Sequence, residues 1–120
     1  MHGKICYIEM PAADVPASAK FYADIFGWKV RRRGDGATAF DDTTGGVSGT
    51  WVPPEWQGGS TDMVTYIMVD SITDAERAIA AAGGQVTTPR TPIGSGGGAF
   101  AIFTDPAGNR LGLYEEPGRA

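Results

Sequence analysis

The chain has 120 residues, 42% of them hydrophobic and 20% charged, with a formal charge of −4 and a pI of about 4.8. That length suits one domain with a real core, and the acidic balance argues against nucleic acid as a partner. Cys6 is the only cysteine, which excludes an intramolecular disulfide and a cysteine-based zinc site.

In chain order, residues 5–10 have strand character and stop at Pro11. Asp14 is a helix N-cap, and Pro16 is tolerated in the first turn. Val15, Ala19, Tyr22 and Phe26 form an amphipathic stripe that Gly27 ends. Trp28-Lys29-Val30 starts a second strand, and Gly34-Asp35-Gly36 turns the chain. Residues 37–41 and 47–52 are the third and fourth strands, joined by a turn at 43–46. Residues 53–60 have linker composition. The basic run Arg31-Arg32-Arg33 is expected at a solvated strand edge, where charge discourages aggregation.

A second set follows: a strand at 63–69, a helix capped by Ser71 or Thr73 and ended by Gly83-Gly84, and strands at 85–88, 99–104 and 110–115. Residues 89–98 make a Gly-rich loop. It precedes a strand, so it is no phosphate-binding fingerprint; it is a mobile connection or a flap. The tip Asp105-Pro106-Ala107-Gly108-Asn109 suits a hairpin reversal.

The two sets are copies. At an offset of 63, Gly108 falls on Gly45, Gly112 on Gly49 and Tyr114 on Trp51; at 57, Gly84 falls on Gly27 and Ile72 on Val15. The expected fold is therefore α+β: two tandem βαβββ modules, 1–57 and 58–120. Together they would form a curved eight-stranded mixed sheet, a trough with helices outside. The concave side would be the ligand site.

These residues carry a family resemblance: Asp14, Phe21-Tyr22 and Phe26-Gly27-Trp28, then Val69-Asp70, Gly83-Gly84, Asp105-Pro106-x-Gly108-Asn109 and Leu113-Tyr114. In this order the chain resembles the vicinal oxygen chelate superfamily of glyoxalase I, bleomycin-resistance proteins and extradiol dioxygenases. It looks like a member of the small glyoxalase-like branch. The resemblance implies a divalent metal held from the first and last strands of each half. The matching positions are Tyr7, Gly49, Val64 and Gly112, and none carries a usual ligand. His2, the sole histidine, sits at the terminus, so no metal and no other cofactor is expected. A Ser-His-Asp or Cys-His set is also excluded.

Strand alternation puts Tyr7, Glu9, Gly49, Trp51, Val64, Tyr66, Gly112 and Tyr114 on the trough side. Tyr7, Glu9, Trp51, Tyr66 and Tyr114 are then the candidate ligand-binding residues, and Glu9 is the candidate catalytic residue. Glu115 and Glu116 are expected as surface charge.

Three functions stay open. One is a metal-free binder of a small, partly aromatic or cationic molecule. Another is a glyoxalase-type lyase or isomerase, metal-dependent or with Glu9 as general base. The last is a structural or regulatory module whose aromatic face is buried in a partner. The resemblance also implies a homodimer, with residues 53–60 as a hinge for exchanging modules. With no apolar run of membrane-spanning length and no signal-peptide pattern, a cytoplasmic protein with no membrane partner is expected.

Overall fold

A computed structural model of the chain describes residues 2–33, 36–57, 62–94 and 96–118. Outside this range lie Gly34 and Asp35 of the expected turn, residues 58–60 of the expected hinge, and Ser95 of the Gly-rich loop. The described residues form eight strands and two α-helices, paired both parallel and antiparallel, as expected for the α+β class. No described helix is long and apolar enough to cross a membrane.

The chain divides into two compact units, Cys6–Val64 and Met1–Ile5 with Thr65–Ala120. The first holds β1 (Ile5–Pro11), α1 (Val15–Phe26), β2 (Lys29–Arg32), β3 (Thr38–Asp41) and β4 (Ser48–Val52), in the sheet order β2-β3-β4-β1. β1 runs parallel to β4, and the other pairs are antiparallel. α1 starts where Asp14 accepts a hydrogen bond from the Ala17 amide and ends where Gly27 turns left-handed at φ 72°. Both ends follow from local chemistry.

One face of this sheet is covered by α1. Ile8, Met10, Phe40 and Trp51 pack there with Val15, Ala19, Tyr22 and Trp28. The rings form a continuous stack: Tyr22 on Trp28 at 4.9 Å between centroids, Trp28 on Phe40 at 4.5 Å, and Phe40 on Trp51 at 4.8 Å. Each such contact adds to simple area burial.

The second unit holds β5 (Val64–Met68), α2 (Ile72–Ala81), β6 (Gln85–Pro92), β7 (Ala99–Thr104) and β8 (Arg110–Glu115), ordered β5-β8-β7-β6. Residues 2–5 join it, with the Gly3 amide donating to the Met68 carbonyl and the Met68 amide to the Lys4 carbonyl. Ile67, Val69, Ala101, Phe103 and Leu113 form its core against Ile72, Ala75 and Ile79. Of the two expected caps, Ser71 is the one used; its hydroxyl accepts from the Asp74 amide.

The loop expected at 89–98 is shorter than its composition suggests. β6 extends through Pro92 on the edge of the sheet, with register irregularities between Val86 and Thr91. An edge strand with bulges tolerates the two prolines. The Ile93 amide then bonds the Gly98 carbonyl.

Glu115 corrects another expectation. It is 4% exposed, not surface charge. One oxygen accepts the Ile72 amide at the start of α2, and the other accepts from the Arg90 guanidinium at 2.8 Å. The Arg90 hydrogen bond is the largest influence holding this carboxyl below its usual range, with the Ile72 amide adding to it against the effect of burial. Because the folded value is depressed, the stabilisation is present above the ordinary glutamate range. It is lost as pH falls through the folded value. Glu115→Gln is expected to cost about 2–3 kcal/mol at neutral pH. The deficit against wild type should shrink in urea titrations as the pH falls to about 3, a range set by the ordinary carboxylate values.

Candidate functional site

The site begins with β1. Ile8 and Met10 point to α1, so Tyr7 and Glu9 lie on the opposite face. Parallel pairing sets Tyr7 beside Ser48 and Glu9 beside Thr50. Across β4, Thr50 pairs with Ala39 of β3. The far side of this first unit therefore carries Tyr7, Glu9, Ser48, Thr50 and Ala39, with Thr50 and Ala39 fully buried.

Two further residues complete it. A 3₁₀ turn at Pro54–Gln57 brings Gln57 back, and its Nε2 donates to Glu9 Oε1 at 2.7 Å. Arg33 follows β2, and its Nη1 donates to the Tyr7 hydroxyl at 2.6 Å, with the guanidinium carbon 5.9 Å from the ring centroid. The hydroxyl of Thr50 and the Oε1 of Gln57 are both buried without a hydrogen-bond partner among the described residues. Glu9 itself is half-buried, and its second oxygen makes no hydrogen bond to a described residue. This arrangement gathers oxygen acceptors around one carboxylate.

Gly49 and Trp51 are not on this face. They alternate with Thr50 and lie on the α1 side, where Trp51 is 2% exposed inside the aromatic stack. The reason is a turn one residue longer than its copy. Between the paired residues Asp41 and Ser48 lie the six residues 42–47, while between Thr104 and Arg110 lie the five residues 105–109. Each turn is organised by an aspartate. Asp42 accepts the amides of Thr44, Gly46 and Val47, and Asp105 accepts those of Ala107 and Asn109. These amides, Val47 first, lower the Asp42 pKa to about 2. The extra residue slides β4 by one place, which swaps its faces. Glu9 beside Thr50 then matches Tyr66 beside Gly112, so Thr50 and not Gly49 is the structural counterpart of Gly112.

Tyr66, Gly112 and Tyr114 lie on the face away from α2, since Ile67, Leu111 and Leu113 face it. Val64 is fully buried. The Tyr66 ring lies over Gly112: a Cβ added there would sit 2.3 Å from two ring carbons. The ring of the residue paired with the glycine fills the space a side chain would need.

These residues do not fit the divalent metal that the resemblance implies. With the register corrected, the four positions are Tyr7, Thr50, Val64 and Gly112, which offer one phenol, one hydroxyl, an isopropyl group and nothing. The Tyr66 ring occupies the last position, and the Tyr7 oxygen already accepts from Arg33. Among the described residues no three His, Cys, Asp or Glu side chains come together.

Sequence reasoning missed Gln57, Thr50 and Arg33. Gln57 lies 48 residues from Glu9 in linker-like sequence, which carries no local signal. Thr50 was hidden because Asp42 and Asp105 stand equally far from Gly49 and Gly112 in sequence, and only the strand pairing reveals the longer turn. Arg33 belonged to a cluster whose other members, Arg31 and Arg32, lie on an exposed edge strand.

Comparison with known proteins gives a consistent family picture. Residues 4–113 match the model of the Glyoxalase/Bleomycin resistance protein/Dioxygenase superfamily. A glyoxylase-like domain-containing protein of Didymella fabae is 31% identical across 99% of this chain and 98% of its own length. A probable lactoylglutathione lyase of Vibrio parahaemolyticus is 29% identical across 95% of this chain and 91% of its own. Among solved structures, methylmalonyl-CoA epimerase from Mycobacterium tuberculosis has the same fold, with a TM-score of 0.72 at 11% identity, over 94% of this chain and 87% of that one.

Proposed function

Since the chain belongs to the Glyoxalase/Bleomycin resistance protein/Dioxygenase superfamily, we propose that it is a glyoxalase-like protein binding a small, partly aromatic or cationic molecule beside Glu9, without the family's divalent metal. The observation that carries this reading is the Glu9–Gln57 pair, with buried oxygens of Gln57 and Thr50 left without hydrogen-bond partners among the described residues. Buried polar atoms are nearly always paired, so orphans gathered around a charge point to a missing partner. Tyr7, steadied by Arg33, adds an aromatic surface two residues away. Trp51 is assigned to packing.

Thermal-shift screening of small aromatic amines, phenols and carboxylates, with and without divalent metals, tests this. The expected result is stabilisation by a metal-free ligand, removed by Glu9→Gln. Hits that all require metal would overturn it.

A second reading, Glu9 as general base of an isomerase, is favoured by one feature. Gln57 fixes one carboxylate oxygen and leaves the other open to accept a proton. In that case Glu9→Gln abolishes turnover while a neutral ligand still binds with nearly unchanged affinity. Retained turnover in the variant would remove Glu9 from the chemistry.

The protein is further proposed to work as a homodimer. Phe21, Ile25 and Phe26 expose apolar surface along α1, which supports this. Light scattering should give a mass near twice 12.6 kDa.

A further inference from the structure

This inference rests on the binding reading above and narrows it. We infer that Glu9, Gln57 and Thr50 form a subsite for a planar cation with several N–H donors, an amidinium or a guanidinium.

The argument starts from the direction of one hydrogen bond. An ionised carboxylate only accepts, so the Gln57 atom 2.7 Å from Glu9 must be its amide nitrogen. The amide cannot turn over without losing that bond. Its Oε1 is thereby held as an acceptor, buried and unpaired among the described residues. Thr50 stands beside Glu9 in the strand ladder, fully buried, its hydroxyl oxygen without a partner among the described residues. The second Glu9 oxygen is also open, and its charge is matched by no ion pair among the described residues.

Three oxygens that can accept, with one negative charge, call for donors and a positive charge. An amidinium or guanidinium supplies both from a rigid plane. Two of its N–H groups suit the carboxylate and amide oxygens, and a third direction remains for the hydroxyl. A neutral amide of the same shape lacks the charge and replaces a donor by an acceptor, which would face an oxygen. The site should therefore discriminate between these isosteres, because the mismatch leaves buried acceptors unpaired.

The test is calorimetric titration of the full chain with benzamidine and phenylguanidine, against neutral benzamide and benzyl alcohol. Both cations are expected to bind at least about tenfold more tightly than benzamide. Glu9→Gln should remove most of that preference, and Gln57→Met and Thr50→Val should each weaken benzamidine by about tenfold. Thr50→Val is also read without ligand. An unpaired hydroxyl predicts an unchanged or raised melting temperature, whereas a clear fall would mean that the hydroxyl was already bonded and would overturn the assignment. Equal binding of benzamide and benzamidine, or cation binding untouched by Glu9→Gln, would also overturn it. If the neutral compounds bind and the cations do not, the subsite falls while the small-molecule reading stands. If none of the four binds, both fall.

Discussion

Trp51→Ala is expected to destabilise the protein by about 3–5 kcal/mol, the cost of removing a large aromatic from a packed core. Trp51 is 2% exposed and stands at the end of the ring stack that runs through Phe40, Trp28 and Tyr22 beneath α1. Deleting the indole would leave a cavity against both the sheet and the helix, which neighbouring rings cannot fill without leaving their own contacts. For a domain of this size the melting temperature should fall by roughly 15 °C or more. The milder Trp51→Phe separates packing from ligand binding. Its ring keeps most of the stack, and the change removes an indole nitrogen that is buried without a partner among the described residues. It should cost about 1 kcal/mol or less and leave ligand affinity unchanged, because the residue is on the face opposite Glu9. Loss of binding in a folded Trp51→Phe protein would return this residue to the ligand site. Calorimetry on one sample series gives both numbers.

Gly49→Ala should cost about 3 kcal/mol, nearly as much as a lost aromatic although it adds a single carbon. A Cβ at Gly49 would sit 2.0 Å from the Ile8 carbonyl oxygen and 2.6 Å from the Phe40 ring. The ring could shift, but the carbonyl belongs to a paired neighbouring strand and cannot move without breaking the ladder. Gly112→Ala differs in kind. Its nearest obstacles are the ring atoms of Tyr66. It should cost about 1–3 kcal/mol, most of it recovered in the double change Tyr66→Leu with Gly112→Ala. No side-chain change at Phe40 should rescue Gly49→Ala. Urea unfolding of the four variants checks this. A full rescue of Gly49→Ala by Phe40→Leu would mean that the ring, not the backbone, sets the limit. The two glycines look like twin positions in the repeat, yet they face opposite sides of their strands for different steric reasons.

The contrast between them marks how far the chain could be read before its structure was seen. Capping and turn chemistry are local: Asp14, Gly27, Ser71, Asp42 and Asp105 each act within a few residues, so both helices and both hairpin tips were legible. The repeat was legible because each half carries the same order of apolar periods. From this came the α+β class; the family resemblance rested on motif residues from Asp14 to Tyr114, and strand alternation set Tyr7 and Glu9 opposite Ile8 and Met10.

Three things were decided only by tertiary structure. The register of β4 depended on one extra residue in the Asp42 turn, and a shift of one place moves every side chain to the other face. The burial of Glu115 arose because α2 presents the Ile72 amide and β6 presents Arg90 to the same carboxylate, neither near it in sequence. The partnership of Glu9 with Gln57 joins residues 48 apart through a turn whose composition resembles any linker. Sequence determines what each residue prefers within a turn or a strand. Which distant groups then meet, and which buried oxygens are left without a donor, is set by the packing of whole elements.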